Sequence, residues 1–195
     1  MMKTPGRSRE EVEIINSPEV SVSDLHLSEV SSDPQAHANI GIYPYNCIGL
    51  LKFTNPQNGT TLNGTAFLIA PDLAVTCAHN IYNRNGNLYY TEVEFFPSGL
   101  QKDAPAHKAR LHRVPPEFRK SSSEEETKLH DIGMVKLARP VLRERYLQIK
   151  YNFKIEGAEV HLYGFPKPLT EKRLFGREGK LLRLNDTIWQ HSIST

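Results

Sequence analysis

The sequence has little cysteine, no long apolar run and almost no excess of charge of either sign. Two cysteines, Cys47 and Cys77, are too few for a disulfide scaffold and too far apart for a zinc ribbon, which leaves a single bridge or two free buried thiols. A net charge of +2 gives no reason to expect nucleic acid or an anionic membrane as a partner. No stretch approaches the roughly 18 apolar residues of a membrane-spanning helix. Hydrophobic residues still make up 38% of the 195 residues, enough for a globular core.

The first part of the chain lacks clustered apolar residues. Residues 1–38 are rich in Ser, Glu, Pro and Asp, and such a segment cannot bury enough surface to offset its ordering entropy. We therefore predict a flexible leader over 1–38 and a folded domain over 39–195. The leader has no apolar run of the roughly 7–15 residues found in a secretory signal. Glycosylation sequons begin at Asn58, Asn63 and Asn185, so the sequence leaves localisation open.

From residue 40 onward, short apolar or alternating runs separated by turn residues predict an all-β fold. Residues 54–64 are interpreted as a hairpin loop and the polar segment 121–128 as an exposed loop, and a short helical turn is expected over 78–82. Gly176 and Gly179 are interpreted as turn glycines with positive φ. The predicted strands are residues 47–53, 65–70, 73–76, 89–96, 108–114, 132–137, 159–164 and 180–184.

Two local patterns place residues of catalytic type at the ends of predicted strands. In Gly64-Thr-Ala-Phe-Leu-Ile-Ala-Pro-Asp-Leu-Ala-Val-Thr-Cys-Ala-His79, two strands joined by a turn are followed by a histidine. In His130-Asp-Ile-Gly-Met-Val-Lys-Leu137, Asp131 stands at the head of an apolar strand. A nucleophilic hydrolase needs a histidine that exchanges a proton near neutral pH and a carboxylate that holds it in one tautomer. Strand ends hold such groups rigidly, so His79 and Asp131 are the candidate catalytic residues.

These patterns resemble those of trypsin-like, chymotrypsin-fold serine proteases over roughly residues 40–195. The run ending in Thr-x-Ala-His-Asn is similar to the region of their active-site histidine, and Asp-Ile-Gly-Met-Val-Lys-Leu is similar to the strand after their aspartate. Tyr-Pro-Tyr-x-Cys-Ile-Gly from Tyr43, and an apolar strand that ends in Gly-x-Pro from Gly164, resemble the glutamyl-endopeptidase (V8-like) branch. One departure concerns the cysteine that follows this histidine in trypsin, because Cys77 precedes His79 by two residues. Trypsin's disulfide at this loop therefore does not transfer.

The resemblance implies a chymotrypsin-like double β-barrel with the active site in the cleft between the two barrels. This chain would form the complete first barrel, about 40–140, and a partial second barrel, about 145–195. The resemblance further implies peptide-bond hydrolysis through a His-Asp-Ser triad, with His79 as the base and Asp131 orienting it. It implies a polypeptide substrate, cleavage after an acidic residue, no cofactor and no metal. It favours secretion, and the oligomeric state stays open.

The Gly-x-Ser-Gly element that holds the nucleophile in these proteases is absent from the sequence, which ends at Thr195. Ser192 and Ser194 precede the place where that element would follow, without the glycine-rich turn that exposes a nucleophile. Ser121, Ser122 and Ser123 lie in a polar segment before Asp131. We therefore expect the 195 residues alone to be inactive. Two alternatives follow: the chain is completed by further sequence, or it is a non-catalytic protease-like binding or regulatory module.

Several other polar residues have a plainer interpretation. Glu124–Glu126 are interpreted as solvated, with cation binding near Asp131 as the alternative, and His130 as a solvent-facing neighbour of Asp131. Trp189 and the aromatics of 89–96 are interpreted as barrel core or rim. Four histidines have no spacing typical of a zinc site and are interpreted as ordinary polar side chains: His107, His112, His161 and His191.

Overall fold

A computed structural model describes residues 35–36, 40–97, 105–149, 157–165, 174–183 and 189–191. Two short helices, α1 (Pro116–Lys120) and α2 (Glu124–Leu129), and two 3-10 turns, Tyr45–Cys47 and Ala78–Asn80, accompany the strands. The strands are β1 (Gln35–Ala36), β2 (Ile48–Thr54), β3 (Thr61–Ala70), β4 (Leu73–Thr76), β5 (Tyr82–Asn83), β6 (Leu88–Tyr89), β7 (Thr91–Pro97), β8 (His107–Arg113), β9 (Gly133–Leu137), β10 (Glu159–Gly164), β11 (Phe175–Arg183) and β12 (Trp189–His191).

Six strands close into an antiparallel barrel in the order β2-β3-β4-β9-β8-β7. Alternate side chains of each strand point inward, as in β7, where Val93 and Phe95 are buried between more exposed neighbours. Leu51, Leu68 and Val135 from three other strands have no exposed surface and fill the same interior. The prediction of an all-β fold with a complete first barrel is confirmed.

The described strands of the region predicted as a partial second barrel, β10, β11 and β12, form a four-stranded antiparallel sheet together with β1, and β11 pairs with each of the other three. β1 belongs to the predicted leader, and its Gln35 lies opposite Gly176 of β11. The rest of residues 1–38 lies outside the described residues.

A second apolar cluster joins this sheet to the barrel. Ile48 and Leu50 of β2 pack in one buried cluster with Phe165 and Leu174 from the sheet region. The backbone N–H of Phe165 donates a hydrogen bond of 2.9 Å to Thr65 Oγ1. Both parts of the chain therefore share a core.

Residues 124–128 of the segment predicted as the exposed loop 121–128 are helical, since they belong to α2. Ser123 is the N-cap residue, and its Oγ accepts a hydrogen bond of 3.1 Å from the Glu126 backbone N–H. The Glu126 carboxylate accepts a 2.8 Å bond from the backbone N–H of Ser122. The Ser-x-x-Glu spacing is a helix-start signal, and acidic residues in the first turn suit the helix dipole. The loop prediction was wrong because it relied on the polar composition of the segment and did not consider the Ser-x-x-Glu spacing.

Three further corrections concern turns and strands. Gly176 and Gly179 lie inside β11, paired with Tyr163 and Val160 of β10, rather than in turns. A Cβ at Gly176 would lie 2.2 Å from Tyr163 Cε1, so close packing explains this glycine. The hairpin loop is shorter than predicted, because β3 already begins at Thr61.

The expected helical turn over 78–82 is present as the 3-10 turn Ala78–Asn80. In the described part of the chain, no helix has both the length and the apolar character needed to cross a membrane.

Candidate active site

His79 lies in the 3-10 turn that follows β4. The turn is attached to the barrel by a short chain of hydrogen bonds: Asn80 Nδ2 donates to Thr76 Oγ1 at 3.0 Å, and Thr76 Oγ1 donates to the Thr65 carbonyl at 2.7 Å. Thr76 and Asn80 are both buried, so each of these bonds satisfies a group that water cannot reach. Gly64 of β3 leaves room for the Asn80 side chain, since a Cβ there would lie 2.6 Å from the Asn80 amide.

Asp131 lies between the end of α2 and the start of β9. The backbone N–H of Ile132 donates to the His130 carbonyl at 2.7 Å, so the chain makes a tight turn centred on Asp131. Gly133 follows at the first position of β9 and packs under the histidine turn, where a Cβ would lie 2.6 Å from Ile81 Cδ1. Because residue 133 has no side chain, the start of β9 can pack against the turn that contains His79. Asp131, two residues earlier in the chain, therefore lies close to that turn.

Arg84 attaches the two helices to this region. Its guanidinium donates to the Ser121 carbonyl and to Thr127 Oγ1, and it lies 5.8 Å from the centre of the Phe118 ring. A planar guanidinium can satisfy both acceptors while stacking on an aromatic ring. Arg84 thereby holds α2, the element that precedes Asp131.

His79 and Asp131 form two hydrogen bonds with each other. The backbone N–H of His79 donates to Asp131 Oδ1 at 3.0 Å, and His79 Nδ1 lies 2.7 Å from Asp131 Oδ2. The imidazole is 62% exposed, while the aspartate side chain is 24% exposed. The backbone of His79 therefore orients the Asp131 carboxylate, and this carboxylate contacts the His79 ring. The ring itself is largely exposed to solvent.

The protonation of the pair follows from its surroundings. Burial alone would raise the pKa of Asp131, but hydrogen bonds from the His79 side chain and from the backbone of His79 and Ala78 outweigh burial and lower the pKa. An ionised carboxylate only accepts hydrogen bonds, so Nδ1 donates the proton in this contact. In the neutral ring, Nε2 then has the lone pair and can accept a proton from a third group.

The structure thus brings together both residues that were predicted as the catalytic pair. The other histidines lie elsewhere. His107 Nδ1 is 3.4 Å from the Arg139 carbonyl, and burial lowers the pKa of His112, which packs edge-on against Tyr89. His161 Nδ1 lies 3.2 Å from Glu178 Oε1. The side chain of His191 is outside the described residues.

The two cysteines are not bridged. Cys47 is buried in the barrel core, with its Sγ 3.2 Å from the Arg145 carbonyl, and Cys77 is exposed. Of the two alternatives, a bridge or two free buried thiols, the thiols are free, but only that of Cys47 is buried. The Cys77 side chain is exposed, but protein atoms surround part of its sulfur; this partial desolvation, together with the negative charge of Asp131, raises the pKa of the Cys77 thiol. Cys77 was not predicted as part of the site, although its position two residues before His79 was the available signal.

None of the serines in segment 121–123 has a hydrogen bond to His79 in the structure. Ser121 Oγ donates to the Phe118 carbonyl at 3.0 Å, and Ser122 and Ser123 bond to the backbone or side chain of α2. All three hydroxyls therefore bond to groups of α1 or α2. Ser192, Ser194 and the Trp189 side chain lie outside the described residues.

The closed six-stranded barrel, the second sheet and their order along the chain are those of the chymotrypsin-like fold, which the similar solved structures share. Among solved structures, a Glu endopeptidase in complex with MPD is similar at 20% identity, with a TM-score of 0.65, over 79% of this chain and 70% of that one. A thermostable serine protease, AL20, from an extremophilic microorganism is similar at 16% identity, with a TM-score of 0.59, over 73% and 69% of the two chains.

The protease Anisep from Arthrobacter nicotinovorans is similar at 18% identity, with a TM-score of 0.54, over 70% of this chain and 64% of that one. This chain therefore spans roughly two thirds of the length of the solved proteases that it resembles. No protein-family model and no curated protein sequence matches it. At these identities the likeness defines the fold, and the activity needs its own argument.

Proposed function

We propose that this chain provides the proton-transfer half of a serine endopeptidase, with His79 as the general base and Asp131 as the residue that orients it. One observation supports this assignment above the others: the 2.7 Å contact between His79 Nδ1 and Asp131 Oδ2, on a ring that is otherwise exposed. This contact leaves Nε2 as the proton acceptor, on the side of the ring away from the carboxylate.

The reaction would proceed by acyl transfer. A serine hydroxyl attacks the peptide carbonyl carbon while His79 Nε2 accepts its proton, and Asp131 stabilises the imidazolium that forms. The imidazolium then donates that proton to the leaving amine, the C–N bond breaks, and an acyl-enzyme remains. Water, deprotonated by the same Nε2, hydrolyses this ester and restores the serine. The nucleophile and the oxyanion donors would come from a Gly-x-Ser-Gly element, which the 195 residues do not contain.

The proposed substrate is a polypeptide, as in the proteases that share the fold. The likeness to a Glu endopeptidase, together with the V8-like motifs, favours cleavage after acidic residues. This preference is a finer proposal than the reaction itself. A panel of peptides that differ only in the residue before the scissile bond would test it separately.

The first test is the gene sequence after the codon for Thr195. An in-frame Gly-x-Ser-Gly within the next few residues supports the proposal, and a stop codon at this place supports the non-catalytic binding module.

The second test is labelling of the complete gene product with a fluorophosphonate, which reacts with an activated serine. We expect labelling that His79→Ala abolishes and that Asp131→Asn slows by about 10³–10⁴-fold, because Asn favours the wrong tautomer of the ring. His161→Ala is the matched control, since it removes an exposed histidine that also contacts a carboxylate. Equal labelling of His79→Ala and the unmodified protein would overturn the proposal. The 195 residues alone are expected to remain unlabelled.

A further inference from the structure

Cys77 lies beside the His79–Asp131 pair and has no part in the proposed proton transfer. Its backbone is extended, with φ −68° and ψ 142°, and it stands between the end of β4 and the 3-10 turn. One ligand atom from each of Cys77, His79 and Asp131 lies within 4.8 Å of the other two. Cys77 and His79 are exposed and Asp131 is half-buried, so an ion in solution can reach all three.

The donor set is typical of zinc. Thiolate sulfur, imidazole nitrogen and carboxylate oxygen bind Zn²⁺ at about 2.3, 2.0–2.1 and 2.0–2.2 Å, and three protein donors with a water complete an open tetrahedral site. Those bond lengths separate the donor atoms by roughly 3.3–3.6 Å. Donors that already lie within 4.8 Å need to approach by at most about 1.5 Å, which rotation of the exposed Cys77 side chain about its single χ torsion can provide.

The side chains of His79 and Asp131 can move apart to bind such an ion while the hydrogen bond that orients Asp131 is kept. The 2.7 Å between Nδ1 and Oδ2 is shorter than the separation in a tetrahedral site, so an ion bound through Nδ1 replaces the shared proton and moves the two donor atoms apart by roughly 0.6–0.9 Å. Asp131 Oδ1 meanwhile keeps its 3.0 Å bond from the His79 backbone N–H. A hydrogen bond of this kind orients a metal-ligating carboxylate.

We propose that Cys77, His79 and Asp131 form a Zn²⁺ site that competes with the role of His79 as a base. Binding releases the thiol proton of Cys77. If Nδ1 binds the ion, the single proton of the neutral ring moves from Nδ1 to Nε2, which then has no lone pair; if Nε2 binds the ion, the Nε2 lone pair is occupied. In both cases His79 cannot accept a proton from a nucleophile. Zinc binding does not depend on the proposed function, whereas the resulting inhibition rests on it.

The first experiment measures binding to the purified 195-residue chain. Titration with Co²⁺ under a non-thiol reductant is expected to produce a thiolate-to-cobalt absorption band that saturates at one equivalent and disappears when Zn²⁺ is added. Cys77→Ser is expected to remove the band, and Asp131→Asn to weaken Zn²⁺ binding in calorimetry at least tenfold. Ca²⁺ and Mg²⁺, which prefer oxygen donors, are expected not to compete.

Two matched controls separate this site from adventitious binding. Cys47→Ser changes the buried thiol and keeps a hydrogen-bond donor to the Arg145 carbonyl, so binding is expected to be unchanged. His161→Ala removes the exposed imidazole beside Glu178 and is likewise expected to have no effect. Zinc affinity that is the same in Cys77→Ser and the unmodified chain, or no binding at micromolar Zn²⁺, would overturn the proposal.

A second readout does not need a variant that alters the fold. Zn²⁺ is expected to slow alkylation of Cys77 by a maleimide, followed by mass spectrometry of its peptide, while the buried Cys47 in the same sample serves as the reference. Equal alkylation of Cys77 with and without Zn²⁺ would contradict the site. If the complete gene product labels with a fluorophosphonate and Zn²⁺ binds without reducing that labelling, the competition is wrong and the proposed function stands. If Zn²⁺ binds and the product never labels, the proposed function fails and the metal site stands.

Discussion

Gly133 packs directly against Ile81, and this close contact is possible because glycine has no Cβ. A Cβ at 133 would lie 2.6 Å from Ile81 Cδ1 and 3.3 Å from the Ala78 Cα. Ile81 has no exposed surface, so it cannot move aside into solvent. The spacing between β9 and the histidine turn, and with it the position of Asp131 relative to His79, depends on this contact.

Gly133→Ala is therefore expected to lower the free energy of unfolding by about 1–3 kcal/mol through overpacking, measured by urea denaturation. Gly41→Ala is the matched control, because nothing lies within 4 Å of a Cβ there. Adding Ile81→Val, which removes Cδ1, is expected to make the double variant less destabilised than the sum of the single changes. Additive effects would show that the two residues do not press on each other.

The lowered pKa of Asp131 predicts a specific dependence of stability on pH. A carboxyl whose pKa is lower in the folded than in the unfolded chain stabilises the fold above its unfolded pKa of about 3.9, and this contribution is lost as pH falls through the folded pKa. Asp131→Asn removes the titrating group. The difference in unfolding free energy between the unmodified chain and this variant is expected to be constant between about pH 5 and pH 6 and to shrink below about pH 4. A difference that stays constant down to about pH 2 would refute this dependence.

The hydroxyl of Thr76 links Asn80 to the barrel, and this predicts a contrast between two substitutions. Thr76→Val keeps the shape but leaves the Asn80 amide and the Thr65 carbonyl without their partner, at a cost of about 1–3 kcal/mol of unfolding free energy. Thr76→Ser retains both hydrogen bonds and is expected to lose clearly less. Thermal and urea unfolding of the two variants measure the contrast. Equal stability of Val and Ser at this position would show that the hydroxyl contributes nothing.

Hydrogen exchange is expected to distinguish the closed barrel from the second sheet. The barrel strands have partners on both sides, whereas β10 pairs only with β11 among the described residues. Unpaired strand edges open more readily, so we expect residues 145–195 to be less stable than 40–140. Amides of β10 are expected to exchange at least about tenfold faster than those of β3 and β4. Uniform protection across both regions would contradict this expectation.

Many of the strands, in the barrel and in the second sheet, could be predicted from sequence because they have local signals. In residues 73–76, 132–137 and 159–164 the apolar residues are adjacent or alternate, and the observed strands Leu73–Thr76, Gly133–Leu137 and Glu159–Gly164 agree within a residue. Errors occurred where two signals overlapped. The Glu run of 124–126 has the composition of a loop, yet Ser123 and Glu126 form a helix cap. Gly176 was predicted in a turn because glycine is common there, yet it lies in a strand and leaves room for the Tyr163 ring of the neighbouring strand.

The sequence by itself determined which residues belong to the candidate site, because His79 and Asp131 each follow a local pattern of strand and turn. It could not determine their 2.7 Å contact, since 52 residues separate them and only closure of the barrel pairs β4 with β9. The position of Cys77 beside both was decided in the same way. The periodicity of a segment indicates only which side chains of that strand face the core. Distances between remote side chains depend on strand register and on close contacts such as Gly133 against Ile81, which form only when the whole barrel packs.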